Sequence, residues 1–461
     1  MMSGTDADAL LARVWSELGG DGATPRMATP VPLASQSATG ALAWASVAAA
    51  SLAANALAPI APAGDEASTP GLSTPVAHLD PVRIAVAYTS ERHLRINDRA
   101  VDVWSPLSGF FSASDGWVRT HGNYPHHAAA IRRALGLRED AGKDELRRAL
   151  SSRSMREASE AITAEGGLCV PVSQEDPVLD EALRGTPLIR TALLGEAAPR
   201  VHAASADAPL RGIRVLDLTR VIAGPVATRT LALFGADVLR IDPPALPEPE
   251  LQLLDTGHGK RFIQLDIRRS PATLDALLQE ADVLVTGYRP SAIDALGLSP
   301  DAVAQKYPGI VVARLSAWGF GAGDADRRGF DSLVQAATGI AMLESVDGQT
   351  PGVLPAQALD HSAGYLLAAA IMTLLRRQSR EGGTWLAETS LRRIAAELLG
   401  MTRTAQPEPV ETFDLLPHMQ RFDIDGRSVM TAGPALPVHG RWIDFQAPRP
   451  GAIARPEWLP R

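Results

Sequence analysis

One segment near the middle of the 461-residue chain restricts the fold most: PLRGIRVLDLTRVIAGPVATRTLALFGADVLRID. It begins with an apolar strand, Ile213 to Leu218, and passes through a turn at 223–225 into a helical stretch. A second apolar strand, Val238 to Ile241, ends it. Short apolar runs that flank a helix predict a strand–helix–strand unit with parallel strands. The segment therefore predicts an α/β domain in which helices cover a mostly parallel sheet.

A second informative segment is GVLPAQALDHSAGYLLAAAIMTLL, where Asp360 stands directly ahead of a long, uncharged, Ala-rich helical run. The positive end of the helix dipole favours an ionised carboxylate, so we expect Asp360 to be charged at neutral pH. Two interpretations stay open from this segment alone. Asp360 is either an N-cap residue or a nucleophile at the mouth of an apolar helix.

Composition excludes several classes of protein. The chain has 44 basic and 52 acidic residues and a net charge of −8, so it lacks the basic surface typical of nucleic-acid binding. The sequence contains one cysteine, Cys169, which excludes an internal disulfide framework and a multi-cysteine metal site. Cys169 lies in the apolar run GGLCVPV, which indicates a small buried hydrophobic residue. We expect a soluble protein of two to four domains in a reducing cytoplasm.

The N-terminal part raises the question of a membrane. It carries acids early and does not resemble a secretory signal. The interval between Arg26 and Asp65 is uncharged and long enough to cross a bilayer, but it consists mainly of Ala and Ser and contains Asn55 and Pro59. We therefore predict a buried helix here and no membrane partner.

Several further blocks follow the strand–helix–strand unit in a familiar order: GKRFIQLD, ADVLVTGYRPSAIDALGL, GIVVARLSAWGFG, DRRGFDSLVQAATG, the Asp360 segment and GGTWLAETSLRRIAAELL. Their order, spacing and wording resemble the family III CoA-transferases, the group of formyl-CoA and carnitine CoA-transferases. The resemblance implies a large domain with an open, mostly parallel, Rossmann-like sheet and a smaller α+β domain.

The first half of the chain has an unusual arrangement. Residues 115–197 resemble the small domain of the family, which ordinarily follows the large domain but here precedes it. Residues 33–75 resemble a degenerate copy of the Asp360 stretch without the acid. We therefore predict two tandem family units. Their parts are a degenerate helical remnant at 1–80, a small α+β domain at 81–200, a large α/β domain at 201–400 and a C-terminal return segment at 401–461, with 198–209 as linker.

Members of the family form dimers of interlocked chains. The resemblance thus implies a homodimer, or a pseudo-dimer within one chain. The alternative is a gene remnant whose first half is only a structural partner.

The resemblance also implies the chemistry. An aspartate at the position of Asp360 attacks the carbonyl of an acyl-CoA thioester and gives a mixed anhydride and CoA thiolate. The thiolate then forms an aspartyl-CoA thioester, which a carboxylic acid attacks, so acyl-CoA and the acid are substrates and no cofactor is bound permanently. We expect backbone N–H groups around His361 to Ala363 to stabilise the oxyanions.

CoA binding is expected at the first strand-to-helix turn. Matching the family's CoA-binding segment are Val221, Ile222, Ala223 and Gly224, and the glycine is expected to allow close approach of the ligand. Candidates for the phosphates are Arg240, Lys260, Arg261 and Arg289, with Arg314 and Arg328 as weaker ones. An ordinary surface cation is the alternative for each. The chain departs from the family at PPALPEPELQLLDTGHGK, where a basic residue is missing, and it lacks a glycine-rich loop over the aspartate.

The same segments bear on two rival functions. A dinucleotide enzyme needs G-x-G-x-x-G, and RVIAGPVATRTL has one glycine. The racemases of the family use a histidine in a G-H-D motif, where this chain has Phe330 before Asp331. His361 points about 100° away from Asp360 on a helix and is expected to be solvated or capping. Asp331 is expected to orient the loop or substrate, or to cap a helix.

A catalytically weak CoA-binding scaffold also stays open. The histidines of THGNYPHHAA, His121, His126 and His127, lack further spaced ligands, so we predict surface positions and no metal. Four aromatic residues are candidates for an acyl pocket or for core: Trp318, Phe320, Trp104 and Phe110.

Overall fold

The structure is a computed structural model of the chain. It describes residues 2–57 and 79–461 apart from 202–204, 206, 322, 408, 410–411, 438–439 and 452. Parts of the predicted remnant at 1–80, of its resemblance over 33–75, of the linker and of the return segment therefore lie outside the described residues.

In the described residues the helices are α1 Met2–Glu17, α2 Thr39–Ala56, α3 Pro81–Tyr88, α4 Ser90–His93, α5 Pro125–Leu135, α6 Lys143–Ser151, α7 Met155–Ala164, α8 Pro177–Arg184, α9 Ala223–Leu233, α10 Glu250–Thr256, α11 Pro271–Glu280, α12 Pro290–Asp294, α13 Pro300–Lys306, α14 Asp331–Ala337, α15 Ile340–Leu343, α16 Ala358–Glu381 and α17 Leu391–Gly400, with a 3-10 turn at Leu416–His418.

The strands over the same ranges are β1 Arg95–Ile96, β2 Arg99–Ala100, β3 Gly109–Ala113, β4 Gly116–Thr120, β5 Cys169–Pro171, β6 Arg190–Gly195, β7 Arg214–Leu218, β8 Asp237–Asp242, β9 Lys260–Gln264, β10 Val283–Thr286, β11 Val311–Ser316, β12 Thr384–Ser390, β13 Met419–Ile424 and β14 Arg427–Ala432.

The main sheet confirms the predicted fold class. Within the described ranges it has seven strands in the order β6-β12-β11-β10-β7-β8-β9. All neighbours are parallel except β6, which pairs antiparallel with β12 at one edge. The apolar runs of the central strands are buried on both faces, as a sheet covered by helices requires. The chain leaves β7 for β8 on one side and later returns to β10 on the other, so a topological switch point lies between β7 and β10.

Three helices form the centre of the largest core. α16 packs against α9 and α2, and nearly every residue of α2 and of the first five turns of α16 is buried. A helix that is apolar all round needs partners on every side, and small Ala side chains let these helices approach closely. The predicted buried helix in the Ala-rich interval is thus confirmed by α2. α16 is long and apolar enough to span a membrane, but its apolar stretch is almost entirely enclosed by protein, as in the core helix of a soluble protein.

A smaller α+β unit precedes the main sheet. β3, β4 and β5 form an antiparallel sheet on which α5, α6 and α7 pack, and its core includes Phe111, Ile131 and Ile162. β6 belongs instead to the edge of the main sheet, although it lies within the predicted small domain 81–200.

The C-terminal residues return to earlier parts of the chain. β13 and β14 join β1 and β2 in a four-stranded sheet. Trp458 donates a hydrogen bond to the Leu277 carbonyl on α11 and packs on the core of the main sheet.

Candidate active site

Asp360 lines a large cavity. It is the third residue of α16 and is 6% exposed. The cavity has a volume of about 840 Å³ and opens along the carboxyl ends of β7, β8, β9, β10 and β11, where Leu218, Ile241, Leu265, Gly287 and Leu315 contribute to its wall. This edge, beside the switch point, is where open α/β sheets ordinarily bind ligands.

Burial decides the ionisation of Asp360. Desolvation raises the pKa of its carboxyl well above the usual range, and the negative charge of Asp331 raises it further. This direction is opposite to the one expected from the helix dipole, which favours an ionised carboxylate. A dipole at a helix end contributes about 1 kcal/mol, which is small beside the cost of an unpaired buried carboxylate.

Asp331 caps the helix that carries Asp360. Its Oδ2 accepts a hydrogen bond from the Asp360 backbone N–H at 2.9 Å, and Oδ1 accepts one from Gln335. The residue at the N-cap position of α16 is Gln357, so the interpretation of Asp360 as an N-cap was wrong. Of the two roles considered for Asp331, the helix cap is the one that the structure shows. The cap fixes the start of α16 and thereby the position of the Asp360 side chain.

We expected backbone N–H groups near the start of α16 to form an oxyanion hole. Two of the N–H groups there already have hydrogen-bond partners within the protein. The His361 N–H donates to the Gln357 carbonyl, and the Asp360 N–H is taken by Asp331. These two groups are used within the protein and do not face a ligand.

The turn at 221–224 forms part of the cavity wall. Val221 and Ala223 line the cavity, whereas Ile222 lies in the core. Val221 has a φ of +70°, which is rare for a β-branched residue, and its N–H donates to Glu248 Oε1 at 3.3 Å. A Cβ on Gly224 would lie 2.3 Å from the Thr219 Cβ. Packing inside the turn therefore requires glycine, and the expected close approach of a ligand stays a prediction.

Two of the predicted phosphate ligands are internal. Lys260 is buried and its Nζ lies 3.3 Å from Asp217 Oδ2, and burial lowers the pKa of Lys260 to about 8. Arg240 is also buried, 2.8 Å from Asp242 and 3.2 Å from Glu248. Neither residue lines the cavity. The prediction that they contact phosphates is corrected, because both cations neutralise carboxylates beneath the turn.

Other arginines do reach the cavity. Of the remaining candidates, Arg289 and Arg328 line it, whereas Arg261 pairs with Asp237 and Arg314 with Glu388. Sequence reasoning missed four more cations at the wall: Arg220, which pairs with Glu248, and Arg268, Arg269 and Arg327. Arg268 and Arg269 lie in the loop after β9, and a position shortly after the carboxyl end of a parallel strand is the signal that indicates them.

The small α+β unit closes the opposite side of the cavity. Tyr124, His126 and His127 line it, and the ring of His121 stacks on Phe330 with centroids 4.0 Å apart. His121 and His127 are buried, so the prediction of surface positions was wrong for these two residues. Burial lowers the pKa of each ring to about 3. No group of potential metal ligands occurs among the described residues.

His361 is buried, contrary to the expected solvated or capping position. Its ring stacks on Tyr88 at 5.0 Å, and desolvation lowers its pKa to about 3. Cys169 is buried as predicted, and burial raises the pKa of its thiol to about 12. The four aromatic candidates do not line the large cavity: Trp318 lies under Arg327, Phe320 under Arg314, and Trp104 and Phe110 beside Arg119.

Comparison with known proteins identifies the part of the chain that carries this site. Residues 210–412 match the family model described as CoA-transferase family III. Residues 210–412 are called the family III segment after this similarity. The match includes the main-sheet strands from β7 to β12, the turn at 221–224 and Asp360, so the wall that holds the aspartate is built by the family III segment.

Several relatives align with the chain over part of their length. The probable fatty acyl-CoA transferase Rv3272 of Mycobacterium tuberculosis is 29% identical over 44% of this chain and 56% of the relative. The succinyl-CoA–L-malate CoA-transferase alpha subunit of Chloroflexus aurantiacus is 28% identical over 49% of this chain and 58% of its own length. The formyl-CoA:oxalate CoA-transferase of Rhodopseudomonas palustris is 32% identical over 38% and 44%.

The chain thus spans about half the length of these relatives. A crystal structure of Rv3272 from M. tuberculosis superposes with a TM-score of 0.38, covering 41% of this chain and 57% of that one at 29% identity.

Proposed function

We propose that the protein is an acyl-CoA:carboxylate CoA-transferase in which Asp360 is the covalent nucleophile. The observation that supports this most is a single buried carboxylate at the wall of a cavity of about 840 Å³, within the family III segment. The cavity has the size of a substrate site. Its wall is mainly apolar on the sheet side and carries cations at its rim.

The reaction would proceed in balanced steps. A carboxylate oxygen of Asp360 attacks the thioester carbonyl, the C–S bond breaks, and the products are a mixed anhydride and CoA thiolate. The thiolate attacks the aspartyl carbonyl, releasing the first acid as a carboxylate and leaving aspartyl-CoA. The second acid attacks that thioester to form a new anhydride, and the returning thiolate takes its acyl group and frees Asp360.

The raised pKa of Asp360 suits this role. A more basic carboxylate is a better nucleophile once it is ionised. The negative charge of Asp331 makes it unfavourable for Asp331 and Asp360 to be ionised at the same time. The expected consequence is acylation that accelerates with pH. Asp331 would act as a positioning residue through its hydrogen bond to the Asp360 backbone.

We propose that the rim arginines hold the phosphates of CoA. Arg268, Arg269, Arg289 and Arg328 line the same cavity from the loops that follow β9, β10 and β11. Guanidinium groups bind phosphate through paired N–H donors. Arg289→Gln is expected to raise KM for acyl-CoA, whereas Arg377→Gln on the exposed face of α16 serves as a matched control.

The test of the nucleophile is covalent trapping. The purified chain is incubated with a panel of acyl-CoA thioesters, quenched with hydroxylamine or borohydride, and measured by intact mass with peptide mapping. A mark on Asp360 is expected, with none in Asp360→Asn and an unchanged yield in the surface control Asp301→Asn. If CoA binds and no thioester marks Asp360, the transferase proposal fails.

An acyl-CoA racemase or isomerase is a second candidate, because His126 and His127 line the cavity that holds Asp360. Phe330 occupies the position of the histidine in the racemase motif, but a histidine from α5 could exchange the proton next to the thioester. Solvent deuterium entering the acyl α-carbon without covalent labelling of Asp360 would favour this candidate. CoA binding with neither result would favour a binding or scaffold protein.

The contribution of the first half supports a pseudo-dimer arrangement. Tyr124, His126 and His127 come from the predicted small domain and complete the cavity of the family III segment. We propose that one chain contains both halves that family dimers take from two chains. Light scattering of the purified protein distinguishes this from a homodimer.

A further inference from the structure

A second, smaller cavity adjoins the first. It has a volume of about 240 Å³, and Tyr124 and Val221 line both cavities. Its remaining wall comes from parts of the chain that are distant in sequence. Glu91 belongs to α4, His121 follows β4, and Asp255 lies on α10.

The wall of this cavity contains buried polar atoms without partners. Asp255 is 4% exposed; its Oδ2 accepts a hydrogen bond from the Ser90 hydroxyl at 2.8 Å, but its Oδ1 has no partner among the described residues. The same holds for the buried Oε2 of Glu91 and for Nδ1 of His121, which is 5% exposed. A buried polar atom without a hydrogen bond is costly and rare in proteins. When Glu91 and Asp255 are both ionised, these two oxygens can only accept, so their missing partners must then be donors.

The charge of the wall also points to a cationic donor. Glu91, Asp102 and Asp255 line the cavity, and no Lys or Arg from the described residues does so. The nearest guanidinium on the same helix, that of Arg92, lies 3.5 Å from the other oxygen of Glu91 and is half exposed. Burial raises the pKa of Glu91 to about 7, and repulsion from Asp255 adds to this. A cation between the two carboxylates would relieve both effects.

We propose that this cavity binds the ammonium group of an amino-bearing carboxylic acid, whose carboxylate extends past Tyr124 and Val221 toward Asp360. An ammonium group brings three N–H donors, which match the unpartnered oxygens of Glu91 and Asp255. A quaternary ammonium has no N–H donor, and Trp104 already has the Arg119 guanidinium 5.3 Å from its ring. A bound metal ion is not favoured, because no cluster of three or more ligands occurs in the described part of the chain.

One part of this inference rests on the proposed function, namely that the carboxylate of the bound acid points toward Asp360. It names the substrate class: an acid with an amino group several bonds from its carboxylate. Glu91 and Asp255 would then determine specificity by binding the end of the substrate that does not react.

Calorimetric titration of the full-length protein tests the proposal. The probes are 5-aminopentanoate and pentanoate, which are similar in size and differ in the ammonium group, at pH 8 where Glu91 is ionised. We expect the amino acid to bind at least about tenfold more tightly, which corresponds to about 1.4 kcal/mol. Glu91→Gln keeps the shape of the side chain and should remove this preference without weakening pentanoate, and Asp255→Asn should do the same. Glu139→Gln, at an exposed position, should retain the preference.

The outcomes separate this proposal from the proposed function. Equal affinities for the two acids, no binding of 5-aminopentanoate at millimolar concentration, or a preference that survives in folded Glu91→Gln would each overturn it. Labelling of Asp360 by acyl-CoA is measured without any acceptor acid. A preference without labelling would leave the ammonium site standing and reject the transferase, and labelling without a preference would do the reverse.

Discussion

Replacement of Glu91 by glutamine should raise the free energy of unfolding at pH 8 and leave it nearly unchanged at pH 5. The side chain of Glu91 is 13% exposed, and its Oε2 is buried without a hydrogen bond. Desolvation, and then repulsion from Asp255, raise its pKa from 4.5 to about 7. The folded protein therefore binds this proton more tightly than the unfolded chain does. The contribution of Glu91 to stability is greatest at low pH and is lost as the pH rises from 4.5 through 7.

The magnitude follows from the two pKa values. A tenfold change in proton affinity corresponds to about 1.4 kcal/mol, so the ionised Glu91 costs the folded state about 3 kcal/mol above pH 7. Glutamine has the same shape and carries no charge. A chain of 461 residues has an unfolding entropy of about 1 kcal/mol per degree near its midpoint, so this free energy corresponds to a rise in Tm of about 3 °C.

The assay is thermal unfolding of wild type and Glu91→Gln, followed by circular dichroism at pH 5 and pH 8. The variant should melt about 3 °C higher at pH 8 and within about 1 °C of wild type at pH 5. Glu139→Gln should match wild type at both pH values, because its side chain is exposed. A Glu91→Gln difference that is equal at the two pH values, or a variant that melts lower at pH 8, would refute the reasoning.

Three other results are expected. Lys260→Met should cost about 3 kcal/mol or more because it removes the ion-pair partner of the buried Asp217, and Asp217→Asn in the same chain should restore most of the loss, as a double-mutant cycle in urea would show. Gly224→Ala should cost about 2 kcal/mol through its clash with Thr219, and an unchanged denaturation midpoint would contradict the packing described for the turn. Cys169 should react with a thiol reagent at pH 8 far more slowly in the native protein than in urea, since burial raises its pKa to about 12; comparable rates would show that the strand is open.

Sequence patterns predicted those features that depend on neighbouring residues. The apolar runs of β7 and β8 indicate parallel strands, and the Ala-rich interval at α2 indicates a buried helix. The place of Asp360 at the start of α16 could be read in the same way. The spacing of apolar residues along the chain indicates which side of a helix or strand is buried. The residues at its start indicate where a helix begins.

The roles of the charged residues could not be predicted in this way. Arg240, Lys260 and Arg289 look alike as cations near strand ends, yet two of them are buried in ion pairs and one faces the cavity. Which carboxylate meets which cation depends on segments that lie far apart in the chain, such as Glu248 and Arg240 or Asp217 and Lys260. A sequence pattern contains no information about such a partner.

By itself, then, the sequence determined the parallel sheet, the helix that carries Asp360 and the family III segment around it. The tertiary structure alone decided that Asp360 is buried beside Asp331, where desolvation outweighs the helix dipole. It alone brought Glu91, His121 and Asp255 to the wall of one small cavity. The physical reason is that ionisation and ligand binding depend on the surroundings of a group in space, and those surroundings exist only once distant elements have packed together.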